Sequence, residues 1–177
     1  MNQPIQITDY ANHIAAALPK GILLNTQGER FNAMVIGWGA LGTVWGRPAF
    51  TVYVRESRYT RKLLDETGEF TISVPLENPD PEINRVCGTL SGRDTDKAAA
   101  AHLTLEPPKV IHTPGVREYP LTLECKVLYS QKQDLERIPE AIRARMYPPN
   151  VPETHPGSNR SPHIAYIGEI VAAYIIQ

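Results

Sequence analysis

Cysteine is scarce in this 177-residue chain: Cys87 and Cys125 are the two present. Two thiols without CxxC spacing make neither a disulfide scaffold nor a cysteine metal site. An excess of one charge is missing too, since 18 Lys and Arg face 19 Asp and Glu for a net charge of −1. That balance offers no basic footprint for nucleic acid or for an acidic membrane surface. No apolar run approaches the ~18 residues of a membrane helix. Asp9, Asn12 and His13 stand where the apolar core of a signal peptide belongs. His13, His102, His112, His155 and His163 form no HExxH or other metal spacing. A Gly-x-Ser-x-Gly elbow and a Walker Gly-Lys-Ser/Thr are both absent, which removes support for α/β-hydrolase and P-loop readings. The expectation is a cytoplasmic protein with free thiols that engages neither nucleic acid nor membrane.

Proline, by contrast, is abundant, with 16 residues. That count favours a β-rich, loop-rich fold over a helical bundle. The length suits one domain with a core that needs no staples. The chain shows no repeat. Its pattern predicts a helix over 8–18 capped by Thr8 or Asp9, a turn at Pro19-Lys20-Gly21, and a strand at Ile22-Leu23-Leu24 closed by 25–28. Residues 31–38 alternate as a strand. Asn32, Met34, Ile36 and Trp38 share one face, and Phe31, Ala33, Val35 and Gly37 the other. Gly39-Ala40-Leu41-Gly42 reads as a flexible break. Pro48 opens a strand through Phe50, Val52 and Val54.

A helix over 58–66 follows, with Gly68 at its C-terminal stop, and then a strand over 70–74. Residues 76–101 read as helical and looped, broken at Gly88 and Gly92. Leu121 to Leu128 alternates as a strand, with Leu121, Leu123 and Cys125 opposite Thr122, Glu124 and Lys126. Residues 138–162 form a proline-rich excursion with a short helix over 140–146, long enough to suggest a functional role. His163 to Ile176 is a strongly apolar last strand. Together these elements indicate a small β-barrel with helical insertions.

Two segments carry candidate chemistry. Ser57, the candidate cap, opens a helix just after Arg55, with Arg58, Tyr59 and Thr60 in its first turn. Free N–H groups, two hydroxyls and two guanidiniums there suit a phosphate; an ordinary capped surface helix with solvated arginines fits the same residues. Cys87-Gly88-Thr89-Leu90-Ser91-Gly92-Arg93-Asp94, followed by Lys97, lets backbone approach a ligand closely; a loop between two helices, with Asp94 capping the second, fits it as well. Cys125 sits in an apolar stripe and reads as core. Cys87 reads as a pocket wall or as a buried, inert thiol. His163, at the mouth of the last strand, is either a ligand contact or simply polar edge.

Four segments in order resemble the flavin reductase-like, FMN-binding split-barrel family, which includes the flavoredoxins. They are Asn32 to Gly39 with Trp45-Gly46-Arg47-Pro48; Tyr53 to Thr60; Cys87 to Asp94 with Lys97; and His163-Ile164-Ala165-Tyr166-Ile167-Gly168-Glu169-Ile170. The last is similar to the family's His-x-x-aromatic-x-Gly-Glu-Val pattern. The resemblance spans nearly the whole chain. It implies a single flavin reductase-like domain over 1–177, mainly β: a split β-barrel with a few short helices, non-covalent FMN, and a homodimer with the flavin near its interface.

By position, the resemblance implies a cofactor-binding set. Asn32, Ala33, Met34, Val35, Ile36 and Trp38 would lie along the flavin ring. Arg55, Ser57, Arg58, Tyr59 and Thr60 would surround the phosphate and ribityl chain. Cys87, Gly88, Ser91 and Lys97 would close the far side. No acid–base pair is implied, since the flavin itself carries the redox chemistry, with His163 as the candidate contact for an incoming nicotinamide or second acceptor. The implied activity passes a hydride or electrons from NAD(P)H through FMN to an acceptor. The alternative is a flavoredoxin-type carrier reduced by a redox protein partner, without a nicotinamide site. A barrel that uses this scaffold for another ligand is a third reading. The excursion over 138–162 is longer than in compact reductases of the family. It would crowd the open face of the flavin or brace the dimer.

Overall fold

The computed structural model describes residues 2–150, 152 and 161–177. Residues 151 and 153–160 of the excursion, His155 among them, lie outside the described residues. The chain runs β1 (Gln3–Pro4), α1 (Ala11–Ala17), β2 (Ile22–Gln27), β3 (Phe31–Ile36), β4 (Gly39–Val44), β5 (Arg47–Arg55), α2 (Tyr59–Thr67), β6 (Glu69–Val74), α3 (Pro81–Thr89), α4 (Lys97–Ala100), β7 (Leu105–Glu106), β8 (Gly115–Val116), β9 (Leu121–Lys132), α5 (Glu140–Met146) and β10 (His163–Ile175). The main sheet has the order β3-β2-β6-β9-β10-β5-β4, with β1 added to β10. Its ladders are antiparallel, and the sheet curls into a barrel that does not close. This is the split barrel expected from the sequence.

The apolar stripes of these strands face inward. Ile22, Leu24, Phe50, Val52, Phe70, Ile72, Leu123 and Tyr166 build the barrel core. Leu23, Phe31 and Ala33 face out and pack against Ile83, Val86 and Cys87 of α3. β3 is therefore covered on both faces, although it is an edge strand. Gly68 ends α2 at φ 64°, where a side chain would strain the left-handed turn. Among the described residues, no helix is long and apolar enough to cross a membrane.

Four local readings need correction. Gly39 to Gly42 is not a break: it lies in β4, paired residue by residue with β5. A Cβ on Gly39 would lie 2.9 Å from the Phe50 ring, so glycine there permits close strand–ring packing rather than flexibility. The cap of α2 is Arg58, not Ser57, and it makes no side-chain cap bond. Asp96, not Asp94, caps α4 by accepting from Ala99 N. Gly88 lies inside α3 instead of ending it.

β9 also departs from simple alternation, because Thr122 and Glu124 are as buried as their apolar neighbours. The Glu124 carboxylate accepts hydrogen bonds from the backbone N–H groups of Lys109 (2.6 Å), Val110 (2.7 Å) and Ile111 (3.1 Å), and from the Tyr174 hydroxyl (2.9 Å). It holds the 107–114 loop against the sheet. Glu124→Ala orphans these donors and is expected to cost about 3–5 kcal/mol in urea unfolding, well beyond an ordinary surface substitution.

Candidate functional site

The strand register assembles the site. His163, the first residue of β10, is the direct cross-strand partner of Arg55, the last residue of β5. The end of β3 runs alongside through Met34, Val35 and Ile36 to Gly37 and Trp38. Together with Tyr53 and Arg58 these residues line a cleft of about 160 Å³. A larger groove of about 650 Å³ lies between α1 and the β4–β5 edge, but it is mostly apolar and, among the described residues, its lining holds no cation. The chemistry-bearing side chains gather at the smaller cleft.

His163 is almost fully buried there. Its ring lies 4.5 Å from that of Trp38, tilted by 39°, and its Nδ1 is 2.7 Å from the Tyr147 hydroxyl. Burial, then the fields of Arg55 and Arg58, push its pKa down to about 3. The imidazole is therefore neutral at physiological pH.

Arg55 is committed to the proline-rich excursion. Its guanidinium donates to the carbonyls of Ser161 (3.0 Å) and Met146 (3.4 Å) and lies 5.3 Å from the centre of the Tyr147 ring. Ser57 Oγ is 3.0 Å from Ser161 Oγ, and Glu56 N donates to Pro162 O. Both described ends of the excursion thus dock on the 55–57 corner. Arg58 is half-buried and lines the cleft at the start of α2.

A second layer stands behind β3. Lys97 is buried, and its ammonium donates to Ala33 O (2.7 Å) and Cys87 O (3.0 Å). Burial lowers its pKa to about 8, and Arg58 adds to the effect against the opposing pull of Cys87. The Cys87 thiol is pushed up to about 11 by burial, so it stays protonated and unreactive. Asn32 donates to Thr26 (3.1 Å) and Thr60 (2.9 Å), tying β2, β3 and α2 together. Arg30 donates to the carbonyls of Gly92 and Arg93, and Arg93 lies over the Tyr59 ring.

The residues expected along a cofactor thus divide. Met34, Val35, Ile36, Trp38, Arg55, Arg58 and His163 share the cleft. Asn32, Ala33, Thr60, Cys87 and Lys97 are buried outside its lining, while Ser57, Gly88 and Ser91 are exposed. Gln133 and Tyr147 went unmarked in the sequence, because nothing local distinguishes a tyrosine after a short helix in a proline-rich stretch. Gly92 is a close-approach position: a Cβ there would lie 2.0 Å from the tethered Asn32 Oδ1. Gly92→Ala is expected to lower stability by about 1–3 kcal/mol in thermal unfolding.

An open antiparallel barrel with a few short helices is the fold of the flavin reductase-like class. The chain belongs to that family: the family model described as flavin reductase like domain matches residues 15–177. An uncharacterised protein of Archaeoglobus fulgidus is 32% identical over 100 residues, covering 56% of this chain. That alignment spans 55% of the relative's own length. Among solved structures, flavoredoxin of Desulfovibrio vulgaris (Miyazaki F) superposes with a TM-score of 0.64 at 23% identity, covering 89% of this chain and 69% of that one. An FMN-binding domain of a flavin reductases-like enzyme from Shewanella baltica gives 0.65 at 18% identity, covering 99% and 77%. These structures share the fold.

Proposed function

We propose that this chain is an FMN-binding oxidoreductase that passes a hydride or electrons from NAD(P)H to an acceptor. The observation that carries the reading is the convergence on one cleft of an open strand edge, an aromatic shelf and a cation at a helix start. β3 pairs on one side only, with β2. Ala33 O is turned outward to Lys97, so the N–H of Val35, a residue of the cleft lining, lies on the same unpaired edge and suits a ligand's edge. Trp38 offers a flat face. Arg58 and the free N–H groups at the start of α2 suit a phosphate dianion. A dianion near Arg58 also offsets the field that Arg58 exerts on buried Lys97. These residues fit FMN as one wall of its site.

When bound, FMN supplies the hydride chemistry at its ring. The chain orients the ring through the β3 backbone and Trp38, anchors the phosphate through Arg58, and keeps His163 neutral, so that it contributes a hydrogen-bonding nitrogen rather than a charge. The cleft is smaller than the roughly 300–1,000 Å³ usual for such ligands. A second copy of the chain is proposed as the other wall. The exposed Trp45 and Tyr129, edge to face at 6.1 Å, offer an apolar surface for that pairing. The alternative, an electron carrier reduced by a redox protein, is favoured by one observation: the excursion docks at the Arg55–His163 side of the cleft, the side on which the first reading would place a nicotinamide. Anaerobic addition of NADH or NADPH to the FMN-loaded protein separates the two. Bleaching of the flavin absorbance supports the oxidoreductase; bleaching only by a reduced partner protein supports the carrier; failure to take up FMN contradicts both.

A further inference from the structure

We propose that Gln133 and Tyr147 are positioning residues that fix the tautomer of His163, leaving its Nε2 bare toward the cleft as an acceptor that selects ligands bearing an N–H donor, the primary carboxamide being the class that fits. The choice of ligand rests on the oxidoreductase reading above; the tautomer does not.

The geometry runs through three side chains. The Tyr147 hydroxyl donates to Gln133 Oε1 at 3.2 Å. A phenol has one proton; with it given to Gln133, the contact of 2.7 Å with His163 Nδ1 is an Nδ1–H donating to the Tyr147 oxygen. A neutral imidazole carries one N–H, and Nε2 is then a lone pair. Arg55, paired opposite His163, and Arg58, across the cleft, both disfavour a second proton, and burial acts in the same direction. Among the described residues, the cleft lining holds no carboxylate that could draw one in.

The array is braced. Gln133 follows directly on β9, and its N–H donates to His163 O at 2.9 Å. Tyr147 follows directly on α5 and packs edge-on to His163, with ring centres 5.6 Å apart. Nε2 has no hydrogen-bond partner among the described residues, the ring lines the cleft, and Trp38 lies against it as a shelf for a flat ligand. A flat ring with a carboxamide satisfies both features. An ester of the same shape sets lone pair against lone pair and is rejected.

The test uses the full chain labelled with ¹⁵N-histidine and needs no flavin. Long-range ¹H–¹⁵N spectra, with His163 assigned by its loss in His163→Gln, are expected to show Nδ1 protonated and Nε2 bare. In Gln133→Leu the phenol proton turns to Nδ1, and His163 is expected to change to the Nε2–H form. An Nε2–H form in the unmodified chain overturns the proposal. So does a pattern that Gln133→Leu leaves unchanged, with Tyr147→Phe as the second variant. Binding is read from the tryptophan fluorescence of the unmodified chain, Trp38 being the indole that lines the cleft. Nicotinamide is expected to quench at a concentration at least about tenfold lower than methyl nicotinate, with that preference lost in Gln133→Leu. Equal quenching by the two probes overturns the selection. A protein with the expected tautomer that fails to retain FMN defeats the function proposed above and leaves the tautomer assignment standing.

Discussion

Arg58→Glu is expected to abolish retention of FMN, with a loss of about 100- to 1,000-fold in a fluorescence titration. Arg58 lines the cleft and stands at the start of α2, and its field reaches both Lys97 and His163. A phosphate there gains a charge-assisted hydrogen bond, of about 1.5–3 kcal/mol, as well as the helix N-terminus. Inverting the charge removes that gain and adds repulsion of similar size. The fold is not expected to suffer, because Arg58 makes no side-chain cap bond. Arg58→Lys keeps the charge but not the planar fork, and is expected to lose only about tenfold. Affinity unchanged in Arg58→Glu would remove the phosphate from this corner. Arg55→Ala has a different signature. Its guanidinium holds carbonyls at both described ends of the excursion, so it is expected to lower stability as well as affinity.

Acid is expected to destabilise the protein through His163. Its pKa is about 3 in the folded state against an ordinary value of 6.5. Between these values the unfolded chain binds a proton that the folded chain refuses. Stability therefore rises with pH in that window: the contribution is present in full above pH 6.5 and is lost progressively as pH falls toward 3. Each pH unit is worth ~1.4 kcal/mol. Between pH 6.5 and 5, before most carboxylates titrate, the loss comes to about 2 kcal/mol. Urea unfolding at the two pH values measures it. His163→Gln is expected to flatten that difference while the other histidines report the background. An equal slope in both proteins would mean that His163 is solvated or paired.

The parts of the fold written in local pattern were legible in the sequence. Alternation found β3, β5 and β6, and the stop at Gly68 set the end of α2. The parts that rest on long-range contact were not. Gly39 to Gly42 has poor strand propensity and becomes β4 because β5 pairs with it and Phe50 fills the space a side chain would need. Glu124 looks solvent-facing by alternation, and it is buried because loop 107–114 brings three N–H donors to it.

The site divides in the same way. Met34, Val35, Ile36, Trp38, Arg58 and His163 were legible through the family resemblance of their segments, and the fold brings them to one cleft. Arg55 and Ser57 read as phosphate groups along the chain, yet the excursion reaches them from about a hundred residues away. Tyr147 and Gln133 acquire meaning only when the ends of α5 and β9 meet the start of β10.

Titrating the purified, flavin-free protein with FMN and with riboflavin, and following its tryptophan fluorescence, tests the phosphate-anchored flavin site most directly. FMN is expected to quench Trp38 at stoichiometric ratio, and riboflavin, which lacks the phosphate, to bind at least about a hundredfold more weakly. Equal binding of the two, or no quenching by either, would contradict it.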